Sequence, residues 1–266
     1  VRRERSNVNS SDLARMLPQL DLPIEYLSAG GPQFRGEAPT VEEMEALHAY
    51  IKREVGKNTS QQLLPVVPHR VVLWLLLKAK GFLTSEVGDN ALVDLHLDEG
   101  RVVLVGDTHG QLNDFLWILR AHGRPERTNV YLINGDVADR GHHAVEIFCL
   151  IFGYMLANPG TVYMNRGNHE SIDMNVRSFN EGGGFAQEVH AKYDANIFYL
   201  LQDIFNLLPL STRINKEALV IHGGLCRSNE STLAEINQVS RVRPVPVSVD
   251  DPDDTLFFDC VWADPQ

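Results

Sequence analysis

Four short polar motifs set the strongest limit on how this chain folds, because each closely follows an apolar run that is typical of a β-strand. They are, in order, Gly-Asp-Thr-His-Gly at 106–110, Gly-Asp-Val-Ala-Asp-Arg-Gly at 135–141, Gly-Asn-His-Glu at 167–170 and His-Gly-Gly at 222–224. The preceding runs are Arg101–Val105, Asn129–Ile133, Val162–Met164 and 219–221. Stretches with helical periodicity lie between them, so the pattern predicts an α/β fold with helices layered on a mixed sheet. Such folds place their sites where strands end.

The chain divides into an N-terminal arm and one catalytic domain. Residues 1–39 are polar at first and then rich in Gly and Pro, which is typical of an irregular arm or linker. We predict a catalytic domain over 40–266, with N-terminal helices in the region 40–80 and the core that carries the motifs at 101–266.

Outside the motifs, helix and loop patterns predict several further elements. A capping-box pattern at 40–43 precedes apolar residues spaced by three and four, so a helix is expected over 40–56. The Gly-Gly-Gly run at 182–184 predicts a flexible turn. The remaining expectations are a helix from His69 to Lys80, a helical region over 185–207, a second capping box at 232–235 and a loop over 244–254.

Composition limits the partners and the compartment of this protein. The formal net charge of -11 disfavours binding to nucleic acid or to anionic membranes, which both require clustered Lys and Arg. No apolar run approaches the roughly 18 to 20 residues that span a bilayer. The three widely spaced cysteines, Cys149, Cys226 and Cys260, indicate buried thiols in a reducing compartment. A cytoplasmic or nuclear location is therefore expected.

The motifs carry the side chains that a site for two divalent metal ions requires. Asp107 and His109 lie two positions apart on one turn and can reach the same cation. Asp136 can bridge two cations through its two carboxylate oxygens, while Asn168 adds an amide oxygen and His222 an imidazole nitrogen. Mixed oxygen and nitrogen ligands without thiolate suit Mn, and also Fe or Zn. Two such ions would polarise a phosphoryl group and lower the pKa of a shared water.

Three further motif residues point to cleavage of a phosphate ester. The guanidinium of Arg140 can bind two phosphate oxygens in a fork. His169 follows the predicted ligand Asn168 directly and is a suitable acid to protonate the leaving oxygen. Asp139 can orient that imidazole and favour its protonated form. Glu170 is expected to support the metal ligands, and not to bind a metal or act as the acid itself.

On these motifs the chain resembles the phosphoprotein phosphatase family of metal-dependent serine/threonine phosphatases. All four motifs match the family, as does Phe-Asp-Cys-Val-Trp-Ala-Asp-Pro at 258–265. The sequence around Asn134, Asn165 and Asn175 is most similar to two branches of the family. One branch carries tetratricopeptide repeats, and the other carries EF-hands and includes the retinal-degeneration phosphatases. The chain departs from the family at 176–185, which carries extra residues including the Gly run.

The resemblance implies a β-sandwich flanked by helices and a centre of two metal ions. One ion would be held by Asp107, His109 and Asp136, and the other by Asp136, Asn168, His222 and one further His. A hydroxide held by both ions would attack phosphorus in line, without a phosphoenzyme. Arg140, Asn168 and His169 would bind the phosphate, and His169 with Asp139 would assist departure of the Ser or Thr oxygen. Phosphoproteins would be the substrates, and regulatory or scaffold subunits possible partners.

The family continues beyond the last residue of this sequence with a second phosphate-binding Arg, the last His ligand and a Tyr. We therefore expect a C-terminally truncated domain, whose own activity is open. Two alternatives remain beside a protein phosphatase. One is a metallophosphoesterase that acts on nucleotides, and the other is an inactive phosphatase-like protein that binds partners.

Overall fold

Two three-stranded sheets with helices around them form the described part of the chain. The computed structural model describes residue 34 and residues 36–57 and 63–263, so most of the predicted arm at 1–39 and the end of the motif at 258–265 lie outside the described residues. The helices are α1 Val41–Lys57, α2 His69–Glu86, α3 Leu112–His122, α4 Ala144–Ala157, α5 Ile172–Asn175, α6 Phe185–Lys192, α7 Ala195–Leu207, α8 Leu233–Gln238 and α9 Pro252–Trp262. The strands are β1 Leu92–Leu95, β2 Arg101–Val105, β3 Asn129–Ile133, β4 Val162–Met164, β5 Ser211–Ile214 and β6 Ala218–Ile221.

The sheet β2-β3-β4 positions three of the four motifs. Its strands are all parallel, with Val105 opposite Ile133 and Ile133 opposite Met164. The carboxyl ends of all three strands therefore lie at one edge, and the loops at 106–110, 135–141 and 167–170 leave from that edge. Every residue of the central strand β3 is buried, as expected for a parallel strand with helices packed on the sheet.

The second sheet brings the fourth motif to the same edge. In the order β1-β5-β6, β1 pairs with β5 in parallel and β5 pairs with β6 antiparallel. Two asparagines join this sheet to the first one. The side-chain amide of Asn134 donates to the carbonyl of Ile221 at 3.1 Å, and that of Asn165 donates to the carbonyl of Val220 at 3.1 Å. These bonds fix the end of β6 beside the end of β3, so His222 faces the other motifs.

The helix α4 forms the centre of the larger hydrophobic cluster. Nearly all of its residues are buried, because α1, α2, α3 and β4 pack around it. Gly153 lies where α1 crosses α4, and a Cβ at that position would come within 2.1 Å of the Met44 methyl group. A smaller cluster of apolar residues lies between the second sheet and the helices α8 and α9. Within the described residues no helix has both the length and the apolar character that a membrane span requires.

Most predicted elements form where the sequence pattern placed them, but two predicted bounds were wrong and the predicted helical region 185–207 is divided in two. The helix expected to end at Lys80 runs on through Gly81 to Glu86, because Leu83 packs into the core. The helical region 185–207 is two helices, since the Asp194 carboxylate accepts hydrogen bonds from the first amides of a new helix, α7. The loop expected over 244–254 ends early, because Asp251 caps α9 and Pro252 begins it.

Candidate metal centre

Asp136 lies at the middle of the site, with imidazoles facing both of its carboxylate oxygens. His222 Nε2 is 3.4 Å from Oδ1, and His109 Nε2 is 3.6 Å from Oδ2. The backbone amide of His169 donates to Oδ1 at 2.9 Å. The backbone of Asp136 is in the left-handed region, with φ of 51°, a conformation that is strained for a residue with a side chain. A carboxylate so placed can contribute one oxygen to each of two cations.

Two groups of ligand atoms share Asp136. One consists of Asp107, Asp136 and His222, and the other of Asp136, His109 and His169; within each group the ligand atoms all lie within 4.8 Å of one another. The sequence had predicted a different pairing, in which Asp107 and His109 share one cation. The Asn168 side-chain oxygen lies 3.0 Å from His222 Nε2 and so belongs to the first group. The chain thus brings together all five predicted ligands around one shared carboxylate.

The two histidines most suited to metal binding have their rings oriented by backbone carbonyls. His109 Nδ1 lies 2.8 Å from the carbonyl of Ala138, and His222 Nδ1 lies 2.6 Å from that of Asn134. A carbonyl only accepts, so each Nδ1 carries the hydrogen and each Nε2 faces the shared Asp136 carboxylate. Bonds of this kind fix ring orientation and tautomer in metal sites, so this donor set fits divalent cations of the Mn, Fe or Zn type.

Proton binding at the site reflects burial and the shared carboxylate. Burial opposes a charged ring at His222, but the hydrogen bond and charge of Asp136 outweigh it and raise the pKa of His222 to about 9. For Asp136, burial favours the neutral acid, while the hydrogen bond from His222 and the neighbouring imidazoles hold its pKa below the ordinary value. At His109 burial dominates and lowers the pKa. Without a cation, the His222 ring is therefore protonated on both nitrogens and positively charged at neutral pH.

Glu170 organises the loop that carries Asp136, as the sequence analysis expected. Its buried carboxylate accepts hydrogen bonds from the backbone amides of Asp136 at 2.8 Å, Val137 at 2.9 Å, Ala138 at 3.2 Å and Gly167 at 3.0 Å. Burial, and then the charge of Asp136, raise the pKa of Glu170. A Cβ at Gly167 would lie 2.2 Å from Asp136 Oδ1, so only glycine lets the two loops approach this closely.

A buried histidine–aspartate pair lies beside the ligands. His169 Nδ1 is 2.8 Å from Asp139 Oδ2, and both side chains are excluded from water. Asn175 donates to the same Asp139 oxygen at 2.8 Å and to the His169 carbonyl at 2.8 Å. The other ring nitrogen of His169, Nε2, lies 3.4 Å from the guanidinium of the exposed residue Arg140 and 4.0 Å from Asp136 Oδ2. The contact of Asn175 with Asp139 was not predicted from the sequence, where its only signal was the family-like Met-Asn pair at 174–175.

Comparison with known proteins identifies the class. The calcineurin-like phosphoesterase family matches residues 100–264, so the chain belongs to the calcineurin-like phosphoesterases. Within that class it is similar to serine/threonine-protein phosphatase 5 of Homo sapiens, with 34% identity over 266 residues, which is 99% of this chain and 47% of that protein. It is also 34% identical over 237 residues to serine/threonine-protein phosphatase T of Trypanosoma brucei brucei, covering 89% of this chain and 45% of the relative.

A solved structure supports the same relationship. A serine/threonine phosphatase of Saccharomyces cerevisiae, described as similar to human phosphatase PP5, superposes with a TM-score of 0.67 and 32% identity, covering 75% of this chain and 60% of that one. The predicted α/β fold and the predicted resemblance to serine/threonine phosphatases are therefore confirmed. The chain spans less than half the length of the two relatives named above.

Proposed function

We propose that this chain carries the catalytic region of a metal-dependent protein serine/threonine phosphatase, which hydrolyses phosphoserine and phosphothreonine. The observation that carries the proposal is the shared Asp136 carboxylate, with a ligand group on each side and the His169–Asp139 pair at its edge. The similarity to phosphatases 5 and T supports the same reaction and favours phosphoproteins over nucleotides as substrates.

We assign metal binding to the five residues around that carboxylate. Two divalent cations would be held by Asp107, His109, Asp136, Asn168 and His222, with Mn as the first candidate and Fe or Zn as alternatives. When bound, the cations supply Lewis-acid polarisation of the phosphoryl group and lower the pKa of an attacking water.

The remaining site residues bind and orient the substrate. Arg140 is exposed at the mouth of the site, where its guanidinium can hold two phosphate oxygens, with Asn168 and His169 below it. The Nε2 nitrogen of His169 donates a proton to the departing Ser or Thr oxygen. Asp139 accepts the hydrogen bond from Nδ1, which keeps the ring oriented and stabilises its charged form during that transfer.

Partners and location extend the proposal beyond the site. The predicted regulatory or scaffold subunits, and the predicted cytoplasmic or nuclear location, follow from the resemblance and from the cysteine content. They stay predictions, to be examined by affinity purification and by localisation of the tagged protein.

The decisive experiment is hydrolysis of a phosphoserine peptide by this chain with added Mn, using Asp136→Asn as the blank. Phosphate release above that blank supports the proposal. Faster turnover of a nucleotide than of the peptide would favour a nucleotide phosphoesterase instead. No release from soluble, folded and metal-loaded protein would contradict catalysis by this chain and favour a binding protein.

A further inference from the structure

The turn that carries Asp139 and Arg140 has an unusual backbone. Both residues lie in the left-handed region, with φ of 69° and 62°. Each non-glycine residue in that region costs on the order of 1 kcal/mol, and such strain persists only where surrounding contacts impose it. Two strained residues in succession therefore require a specific source of support.

That support comes from a short segment at 183–185, before and at the start of α6. The carbonyl of Gly183 accepts a hydrogen bond from the Arg140 amide at 3.0 Å. The amide of Phe185 donates to Asp139 Oδ1 at 2.9 Å. One segment thus holds the backbone of Arg140 and the side chain of Asp139 at the same time.

The glycines of this segment are set by close contacts, which explains a run that the sequence alone indicated only as a flexible turn. A Cβ at Gly183 would lie 2.5 Å from the Arg177 carbonyl and 2.6 Å from the Met174 carbonyl. A Cβ at Gly184 would lie 2.2 Å from the Phe179 ring. Gly182, by contrast, has no atom within 4 Å of such a Cβ, although its φ is 81°.

We propose that the 183–185 segment is a positioning element for the phosphatase reaction, holding Arg140 and the Asp139–His169 pair in register with each other. The inference rests on the proposed function, in which Arg140 binds the phosphate and His169 serves the leaving oxygen. Displacing Gly183 frees the Arg140 amide, so the turn relaxes from its strained conformation and the Cα–Cβ bond of Arg140 changes direction. The same displacement removes the Phe185 amide from Asp139, so the orientation of His169 is lost together with that of Arg140.

The test compares Gly183→Ala with Gly182→Ala. The control position lies one residue away in the left-handed region, where Gly183 does not lie, and its added methyl group meets open space. For the Mn-loaded protein, we expect Gly183→Ala to raise KM for a phosphoserine peptide and the inhibition constant of inorganic phosphate about tenfold or more, and to lower kcat. Metal content should stay at the unsubstituted level. Gly182→Ala should stay within about twofold of the unsubstituted protein in all three constants.

Amide hydrogen exchange provides a readout that does not depend on activity. In the unsubstituted protein the Arg140 and Phe185 amides should be protected, and Gly183→Ala should lose both protections together while the amides of β3 keep theirs. Exchange of the Arg140 amide at the rate of an open loop, measured in the unsubstituted protein, would overturn the proposal even if Gly183→Ala does not fold. Unchanged constants and protection in folded Gly183→Ala would overturn it as well. An inactive unsubstituted protein with protected amides would instead count against the proposed function alone.

Discussion

At the scale of single residues, Asp136 is the position on which the proposed site depends most. Its carboxylate is buried, shared by both ligand groups and held in a strained backbone conformation. We expect Asp136→Asn to abolish phosphate release and to reduce bound metal, because the amide removes the shared negative charge at nearly constant volume. Elemental analysis of the purified variant, together with the phosphopeptide assay, measures both effects. Full metal content in an inactive variant would contradict the bridging role.

His169 provides the contrasting case, because its geometry permits two roles. Its ring lies in one ligand group with His109 and Asp136, yet its Nδ1 is bonded to Asp139. If it acts as the acid, His169→Asn should slow turnover about 10²- to 10⁴-fold and leave metal content unchanged. The same elemental analysis decides the matter, since metal loss equal to that of Asp136→Asn would make His169 a ligand.

The three cysteines should differ sharply in reactivity. Cys226 is half-buried, and a hydrogen bond from the Cys260 thiol lowers its pKa to about 7. Burial raises the pKa of Cys149, and the hydrogen bond to Cys226 together with burial raises that of Cys260. Because the thiolate is the reacting form, iodoacetamide at pH 7.5 should alkylate Cys226 first. Peptide mass mapping reports the site, Cys226→Ser should remove the fast phase, and first labelling of Cys149 would contradict the expectation.

Inside the motifs the sequence was enough to predict which side chains lie together, while their binding of metal stays a prediction. Asp107, His109, Asp136, Asn168 and His222 meet because each follows the end of a strand, which periodicity alone can place. Residues outside the motifs could not be found this way. Asn134 and Asn175 act through neutral amides whose partners are fixed only by how the sheets and helices pack together.

At the scale of secondary-structure elements, local signals and tertiary packing compete. The bounds of β2, β3 and β4 followed from apolar runs in the sequence, whereas β1 and β5 were not predicted. The capping boxes at Thr40 and Thr232 form as predicted. Gly81 is a poor helix former, and so the sequence favoured an end to α2 before it. The helix continues because burial of Leu83 in the core stabilises it by more free energy than Gly81 costs within a helix. The end of this helix could not be predicted from the local sequence, because it depends on how the neighbouring helices pack around Leu83.

A buried ion cluster joins the helices α4 and α6 and holds the backbone at His142, just before α4 begins. The Lys192 ammonium donates to Glu146 at 2.7 Å, to Glu188 at 3.1 Å and to the carbonyl of His142 at 2.6 Å. Lys192→Met would leave two buried carboxylates without their cation, so we expect a loss of about 3–5 kcal/mol in the free energy of unfolding.

Urea denaturation of the purified variant measures this loss. The matched control is Lys80→Met, which removes a lysine that is paired with Asp203 and, unlike Lys192, is only partly buried. That change should cost no more than about 1 kcal/mol. Equal costs for the two variants would show that burial does not decide the strength of the Lys192 cluster.

At the scale of the whole molecule, the candidate metal centre lies where the two sheets meet. The sheet β2-β3-β4 supplies four of the proposed ligands, and His222 follows β6 of the other sheet. A cation bound to both sets of ligands binds the folded chain and not the unfolded one. It should therefore stabilise the whole fold by mass action, as any ligand specific to the native state does.

The pH dependence of that stabilisation follows from the proton on His222. Without metal, its pKa of about 9 exceeds the ordinary 6.5. The associated stability is fully present below pH 6.5 and is lost as the pH rises through about 9. A cation needs the unprotonated Nε2, so each pH unit below 9 should weaken metal binding about tenfold. As the pH rises, the metal-free protein loses the stability that comes from protonated His222, whereas metal binding becomes stronger. The rise in Tm produced by Mn should therefore grow steadily from pH 6.5 to pH 8.5.

Thermal unfolding at fixed Mn concentration across this range, with a chelator series beside it, measures the effect. His96→Gln is the control, because His96 is exposed and pairs only with the exposed Asp98 among the described ion pairs. It should leave the trend unchanged. A rise in Tm that is the same at every pH would mean that no proton is displaced from His222, and hence that this ring does not bind the cation. A trend that survives in His222→Gln would assign the displaced proton to another group.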